Sequence, residues 1–507
     1  MSSFSFNVLT EPWIPVVCRD GSIVETGILH CLEQAHTLRE IRDPAPIVEF
    51  GLYRLMEAFL FDALQLSDQR PEHRQDLKIM IDSGGIDMDM IKKYIEKCGD
   101  AFDLFHPERP FLQTKMDTSS PKPLSGMFPA APSGTNVSHW RHSHEDDLIV
   151  SSAEAARLLT TIAPFMTAGG AGLSPSINGA PALYALPVGK NLFETLVLNT
   201  PLRNQDSGQG VAAWRSTQAP GRQCTQATTI EAMTWRPRRI QLIPEIINEK
   251  DVVVRTMRFE KGDSAHFGST WIDANLAYRY EAEKVTPIRM RENRPIWRDA
   301  GPLLLLNDKE HGREEKKISF RRPDVIELAF ELKNSDESLV VQTYGMRTDM
   351  KMKVFEWISS SLTVPAGLGR STRLGELVHQ EIERAEKAAY VLRVGVKSLF
   401  PREGAGNKEA LGCIADRCER TYWQKLEHQF HSLMNSFAAM PKDAPDDPAC
   451  IAKAAKEWRQ NIAQSALEQF ELAAKDMDSD SDALERQVRA RMRLKTKVNT
   501  IIGEVPA

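Results

Sequence analysis

Three histidines and three acids crowd one stretch of this chain. His139, His142 and His144 stand beside Glu145, Asp146 and Asp147. Imidazole and carboxylate are ligands for zinc or iron, so one reading is a metal site, and a metal-dependent hydrolase is the activity that would follow. The spacing contains no HExxH element and no helical i, i+4 histidine pair. A second reading is contact with nucleic acid. Trp140 could stack or wedge while Asn136, His139 and Arg141 hydrogen-bond. An ordinary solvated loop is the third.

The run from Gly169 to Gly179 is the next candidate. Gly169, Gly170 and Gly172 would let the backbone approach a phosphate or a groove with no β-carbon in the way. No Gly-Lys-Ser/Thr follows, so the run is not a Walker A loop. Ser174, Pro175 and Ser176 stand where a dinucleotide fingerprint needs its last glycine. A flexible turn explains the loop equally well.

Two basic stretches complete the set. Arg279, Lys284, Arg289, Arg291, Arg294 and Arg298 outnumber Glu281, Glu283 and Glu292, with Tyr278, Tyr280 and Trp297 interleaved. Arg486, Arg489, Arg493 and Lys497 fall on one face of the last helical segment. Either pattern suits a polynucleotide backbone, and either suits a solvated surface. Nucleophile-elbow, P-loop and kinase signatures are missing.

The elements that must position these residues follow from patterning. The chain has 507 residues, 42% hydrophobic and 26% charged, with a net charge of −5. That excludes a disordered or collagen-like chain and a uniformly basic coat, though not a local basic patch. The length favours roughly two to four domains. Ile47, Phe50, Leu52, Leu55, Phe59 and Leu64 approximate helical spacing, and Ser152 opens an N-capped helix. Long Gly/Pro-rich loops at 110–150 and 168–181 are of the kind that often carries function. Leu192–Leu198, Val252–Phe259, Leu303–Leu306 and Leu339–Tyr344 are expected as short strands.

Beyond Val364 the periodicity turns purely helical. Four amphipathic segments follow, through Leu374 to Leu399, Tyr422 to Phe437, Ile451 to Phe470, and about Asp482 to Ile502. They predict a four-helix bundle. The expected fold is therefore α+β, a large loop-rich N-terminal domain over 1–364 and a bundle over 365–507. Most of the seven cysteines are expected to be buried in a reducing compartment. The opening residues lack a secretory leader pattern, and no run of eighteen apolar residues occurs, so the expected location is the cytoplasm.

Further motifs occur in a telling order. Glu11-Pro-Trp-Ile-Pro-Val16, Arg109-Pro-Phe-Leu-Gln-Thr-Lys115, Ser133-Gly-Thr-Asn136, the loop at Gly169, and Met233-Thr-Trp-Arg-Pro-Arg-Arg-Ile240 follow one another. Together they resemble the CasA family, large subunits of the type I-E CRISPR complex called Cascade, over essentially the whole chain.

The resemblance implies a non-catalytic subunit without a cofactor. Such a subunit reads the protospacer-adjacent motif (PAM) from the minor-groove side of double-stranded DNA and helps open the duplex. Guide RNA supplies the long sequence specificity. The implied partners are the small, backbone and guide-processing Cascade subunits, the guide RNA, the DNA target and a helicase-nuclease that docks for antiviral defence. By the same resemblance, the PAM-contacting parts are the glycine loop (Gly169, Gly170, Gly172) and a first recognition loop (Asn136, His139, Trp140, Arg141). A lysine finger falls at Lys284, or else Arg289. A wedge falls in the turn Gly345–Lys353, with Met350 and Lys351 where the family usually shows Gln. Arg486, Arg489, Arg493 and Lys497 are expected to contact strand phosphates.

Overall fold

The structure is a computed structural model. It describes residues 4–127, 148–169, 172–179, 181–202, 209–247, 251–267, 271–281, 284–291, 294–306, 318–334, 336–348, 354–400, 407–441, 445–475 and 480–503. The chain divides into two compact units that interleave in sequence. One comprises Met1–Glu292, Pro323–Lys333 and Val340–Leu362; the other comprises Asn293–Arg322, Asn334–Leu339 and Thr363–Ala507.

The first unit is built around helix Pro46–Leu66, whose residues from Ile47 to Gln65 are all buried. Apolar periodicity marks this helix, but burial on every side makes each charged residue costly unless it finds a partner inside. Tyr344 donates to Glu49 at 2.6 Å. Arg54 pairs with Asp273 at 2.6 Å. Asp62 accepts from Tyr94 and from the fork of Arg215 at 2.6–2.7 Å. Gly51 lets helix Ser152–Thr160 pack closely, since a β-carbon there would stand 2.9 Å from the Thr160 carbonyl carbon. The cap of that helix is Ser151, one residue before the expected position. Ser151 and Glu154 form a reciprocal capping box, which sets the start.

The hairpin Arg238–Ile247/Asp251–Lys261 has Arg238 opposite Lys261 and an irregularity between Ile243 and Pro244. Proline lacks the N–H that a regular ladder needs. Two of the recognisable motifs, at Trp13 and Gln113, turn out to be braces for this core. Trp13 is fully buried and donates its indole N–H to the Val8 carbonyl at 2.8 Å. Gln113 accepts from the Leu242 N–H at 2.7 Å and donates to the Leu104 carbonyl at 2.8 Å, clamping the hairpin.

Two expected strands are helical. Leu192–Leu198 is a helix, because Asn191 caps it by accepting the Glu194 N–H at 2.9 Å. All seven of its residues are buried, so no polar face reveals the helical period. Leu303–Leu306 falls largely in the π-helical turn Gly301–Leu305, whose residues are likewise all buried. The expected strands at Val252–Phe259 and Leu339–Tyr344 are present within Asp251–Lys261 and Leu339–Thr348.

In the second unit, helices Thr372–Lys397, Asn407–Ala438, Pro448–Lys475 and Ser481–Gly503 form the expected bundle. Trp297, Trp423, Phe430 and Trp458 pack together in its core, with ring centroids 5.0–6.3 Å apart. None of the seven cysteines forms a disulfide. Only Cys31, Cys98 and Cys418 are buried, which corrects the expectation that most would be; Cys413 lies on an exposed helix face.

Candidate nucleic-acid interface

The glycine loop is a shaped turn. The Gly169 N–H donates to the Leu173 carbonyl at 3.0 Å, and the Ser176 N–H to the Met166 carbonyl at 2.8 Å. Gly172 and Gly179 have φ of +74° and +83°, a left-handed conformation that glycine adopts without strain. Among the described residues, a β-carbon on Gly172 would meet nothing within 4 Å, so toward them this part of the loop is open. The far root is anchored. Asn178 donates its amide to Tyr184 Oη and to Asp273 Oδ2, both at 3.2 Å, which joins the loop to the buried Arg54–Asp273 pair.

The hairpin Tyr278–Glu281/Lys284–Pro287 carries the lysine-finger candidates. Lys284 is exposed and stands opposite Glu281. Arg289, just past the second strand, is half-buried, and burial lowers its pKa. It lines a cavity of about 390 Å³ together with Asn178, Gly179, Phe267, Trp271 and Thr286. The Arg289 Nη2 atom lies 3.5 Å from where a β-carbon on Gly179 would be. Glycine loop and basic hairpin, about a hundred residues apart in sequence, therefore meet at one surface.

The rest of the Arg279–Arg298 stretch is not one patch. Arg279 pairs with Glu281 at 3.1 Å. Arg294 binds Asp299 at 2.9 Å and Glu386. Arg298 binds Glu386 at 2.7 Å and lies over the Trp423 ring, 3.6 Å from its centre. Burial pushes the Glu386 pKa up, but the Arg298 and Arg294 guanidiniums outweigh it and the net shift is downward. Tyr278 and Trp297 are buried. The interleaved aromatics thus include core residues, because a buried tyrosine and a stacking tyrosine have the same sequence signature.

Asn136, His139, Trp140, Arg141, His142 and His144 lie outside the described residues, as do Gly170, Met350 and Lys351. Among the described residues, no group of three His, Cys, Asp or Glu could hold a metal ion. Of the expected wedge turn, residues 349–353 lie outside the described residues. Gly345–Thr348 continue the strand Leu339–Thr348, because inward residues such as Met346 are buried against the core.

On the last bundle helix, Arg493 and Lys497 are exposed, Arg486 is half-buried, and Arg489 is ion-paired with Glu485 one turn earlier. Sequence reasoning missed a second face of this helix. Leu484, Val488 and Met492, at i, i+4, i+8, are 49%, 56% and 66% exposed. That spacing was legible, but it resembles an ordinary core stripe until the true core face (Ala483, Ala490, Leu494, Val498) is known. Among the described residues, no helix is long and apolar enough to cross a membrane.

Comparison with known proteins agrees with this architecture. A curated CRISPR-associated protein CasA/Cse1 from Thermus thermophilus is 28% identical over 531 residues, covering 99% of this chain and 98% of that one. The Cse1 structure from Acidimicrobium ferrooxidans superposes with a TM-score of 0.79 at 20% identity, over 100% of both chains. A chain from a CRISPR RNA-guided surveillance complex superposes with a TM-score of 0.76 at 20% identity, over 98% of this chain and 99% of that one. The family model for CRISPR-associated protein Cse1 matches residues 7–469, and this chain belongs to that family.

Proposed function

We propose that this chain is the large, non-catalytic subunit of a type I-E Cascade complex in the cytoplasm. It reads the PAM in duplex DNA, helps open the duplex for guide-RNA pairing, and offers a docking surface to the helicase-nuclease. The observation that carries this reading is the meeting of the glycine loop with Arg289 and the Lys284 hairpin at one cavity. A minor groove about 6 Å wide admits a bare backbone and a single extended cation more readily than bulky side chains. An open Gly172 and an exposed Lys284, on a hairpin that meets the loop at Gly179, supply both.

The bundle serves the complex in two ways. Arg493 and Lys497 suit phosphates of the displaced strand or guide RNA. The Leu484–Val488–Met492 stripe suits an apolar protein neighbour such as the small subunit. The test is to co-purify the chain with partner subunits and guide RNA, then select from a randomised-PAM duplex library. PAM-dependent binding that is lost with Lys284→Ala supports the assignment. Binding without PAM preference, or only by the chain alone, would refute it.

A further inference from the structure

Arg238 lies in the Met233–Ile240 motif and is only 4% exposed. Its Nη2 donates to the Thr167 carbonyl at 2.7 Å. Its Nη1 donates to the Ser174 carbonyl and, at 2.9 Å, to that of Pro237. The guanidinium carbon sits 5.8 Å from the centre of the Phe259 ring. Among the described residues no carboxylate pairs with it. Burial alone pulls its pKa down to about 10.

A buried cation without a counter-charge is costly, and an apolar side chain would fill the same space more cheaply. What the guanidinium provides is a planar fork that reaches two carbonyls at once. Those carbonyls, of Thr167 and Ser174, lie on opposite sides of the Gly169–Leu173 bridge. We propose that Arg238 is a positioning residue that clasps both flanks of the glycine loop and holds Gly169 and Gly172 in the pose that meets duplex DNA. This rests on the reading of that loop as a DNA contact.

The test uses the assembled complex with guide RNA and three variants, Arg238→Met, Arg238→Lys and Gly172→Asp. Two quantities are read: hydrogen exchange at the Gly169 amide, and affinity for duplex against single-stranded target. With Arg238→Met, exchange at Gly169 should speed up and duplex affinity should fall about tenfold, with single-strand binding unchanged. Arg238→Lys should fall between, since an ammonium on a flexible stem does not reproduce the two-carbonyl fork. Unchanged exchange or unchanged duplex affinity in Arg238→Met overturns the proposal, and so do equal losses on both targets, which mark a general packing role. Should Arg238→Met fail to assemble, the same two readouts on Arg238→Lys decide, and wild-type behaviour there overturns it. Gly172→Asp separates the two levels. If it leaves duplex binding intact, the loop itself is not a DNA contact; if it abolishes binding while Arg238→Met does not, only the clasp fails.

Discussion

Gly172 is where function and stability separate most cleanly. Its positive φ is one that Asn and Asp tolerate better than other residues, and its β-carbon direction is open. Gly172→Asn should therefore fold and assemble normally, and Gly172→Asp likewise. On duplex DNA both should lose affinity, with Asp the more severe because it adds a negative charge near phosphates. Binding to a single-stranded target checks that assembly is intact. A second residue acts on stability alone. Glu57 is 1% exposed, and among the described residues neither carboxylate oxygen has a hydrogen-bond partner. Burial pushes its pKa up to about 8. Because the folded pKa exceeds the unfolded one, the folded chain holds the proton more tightly, and stability falls as pH rises from about 4.5 to 8. The penalty at pH 7 is on the order of 3 kcal/mol. Glu57→Gln should raise the melting temperature at pH 7–8 and make no difference below pH 4.5, as thermal melts across that range will show.

Charge on the last bundle helix has to be weighed at the level of the element. The sequence places Arg486, Arg489, Arg493 and Lys497 on one face, but Arg489 already has Glu485, and Arg486 is half-buried. Arg493 and Lys497 should therefore dominate any phosphate contact. Replacing both with Gln should reduce the slope of log affinity against log salt by up to about 2, while PAM preference is unchanged. Replacing Arg489 alone should change the slope little. The Leu484–Val488–Met492 stripe predicts a separate phenotype. Val488→Glu should leave the bundle folded, since the side chain is 56% exposed, yet weaken assembly with the neighbouring subunit in a pull-down. Helix periodicity announced the four helices, but not which of two apolar stripes on the last one faces the core.

For the whole molecule, the net charge of −5 argues that the isolated chain lacks the field for tight non-specific DNA binding. Tight duplex binding should appear only in the ribonucleoprotein complex, as a mobility shift with and without partners will test. Local periodicity and motif order sufficed for the bundle and the family, because amphipathic faces and buried motifs such as those at Trp13, Gln113 and Arg238 are imposed by packing that any relative must repeat. Those three residues brace the core. Fully buried segments misled, as at Leu192–Leu198, because burial on all sides erases the period. The sequence showed Arg279 to Arg298 as one basic run. Only the tertiary structure divided it, committing Arg294 and Arg298 to Glu386 and placing Arg289 beside Gly179 of the glycine loop. Which charges are neutralised depends on which acids the fold brings within a few ångströms, and Glu386 lies nearly ninety residues further along the chain.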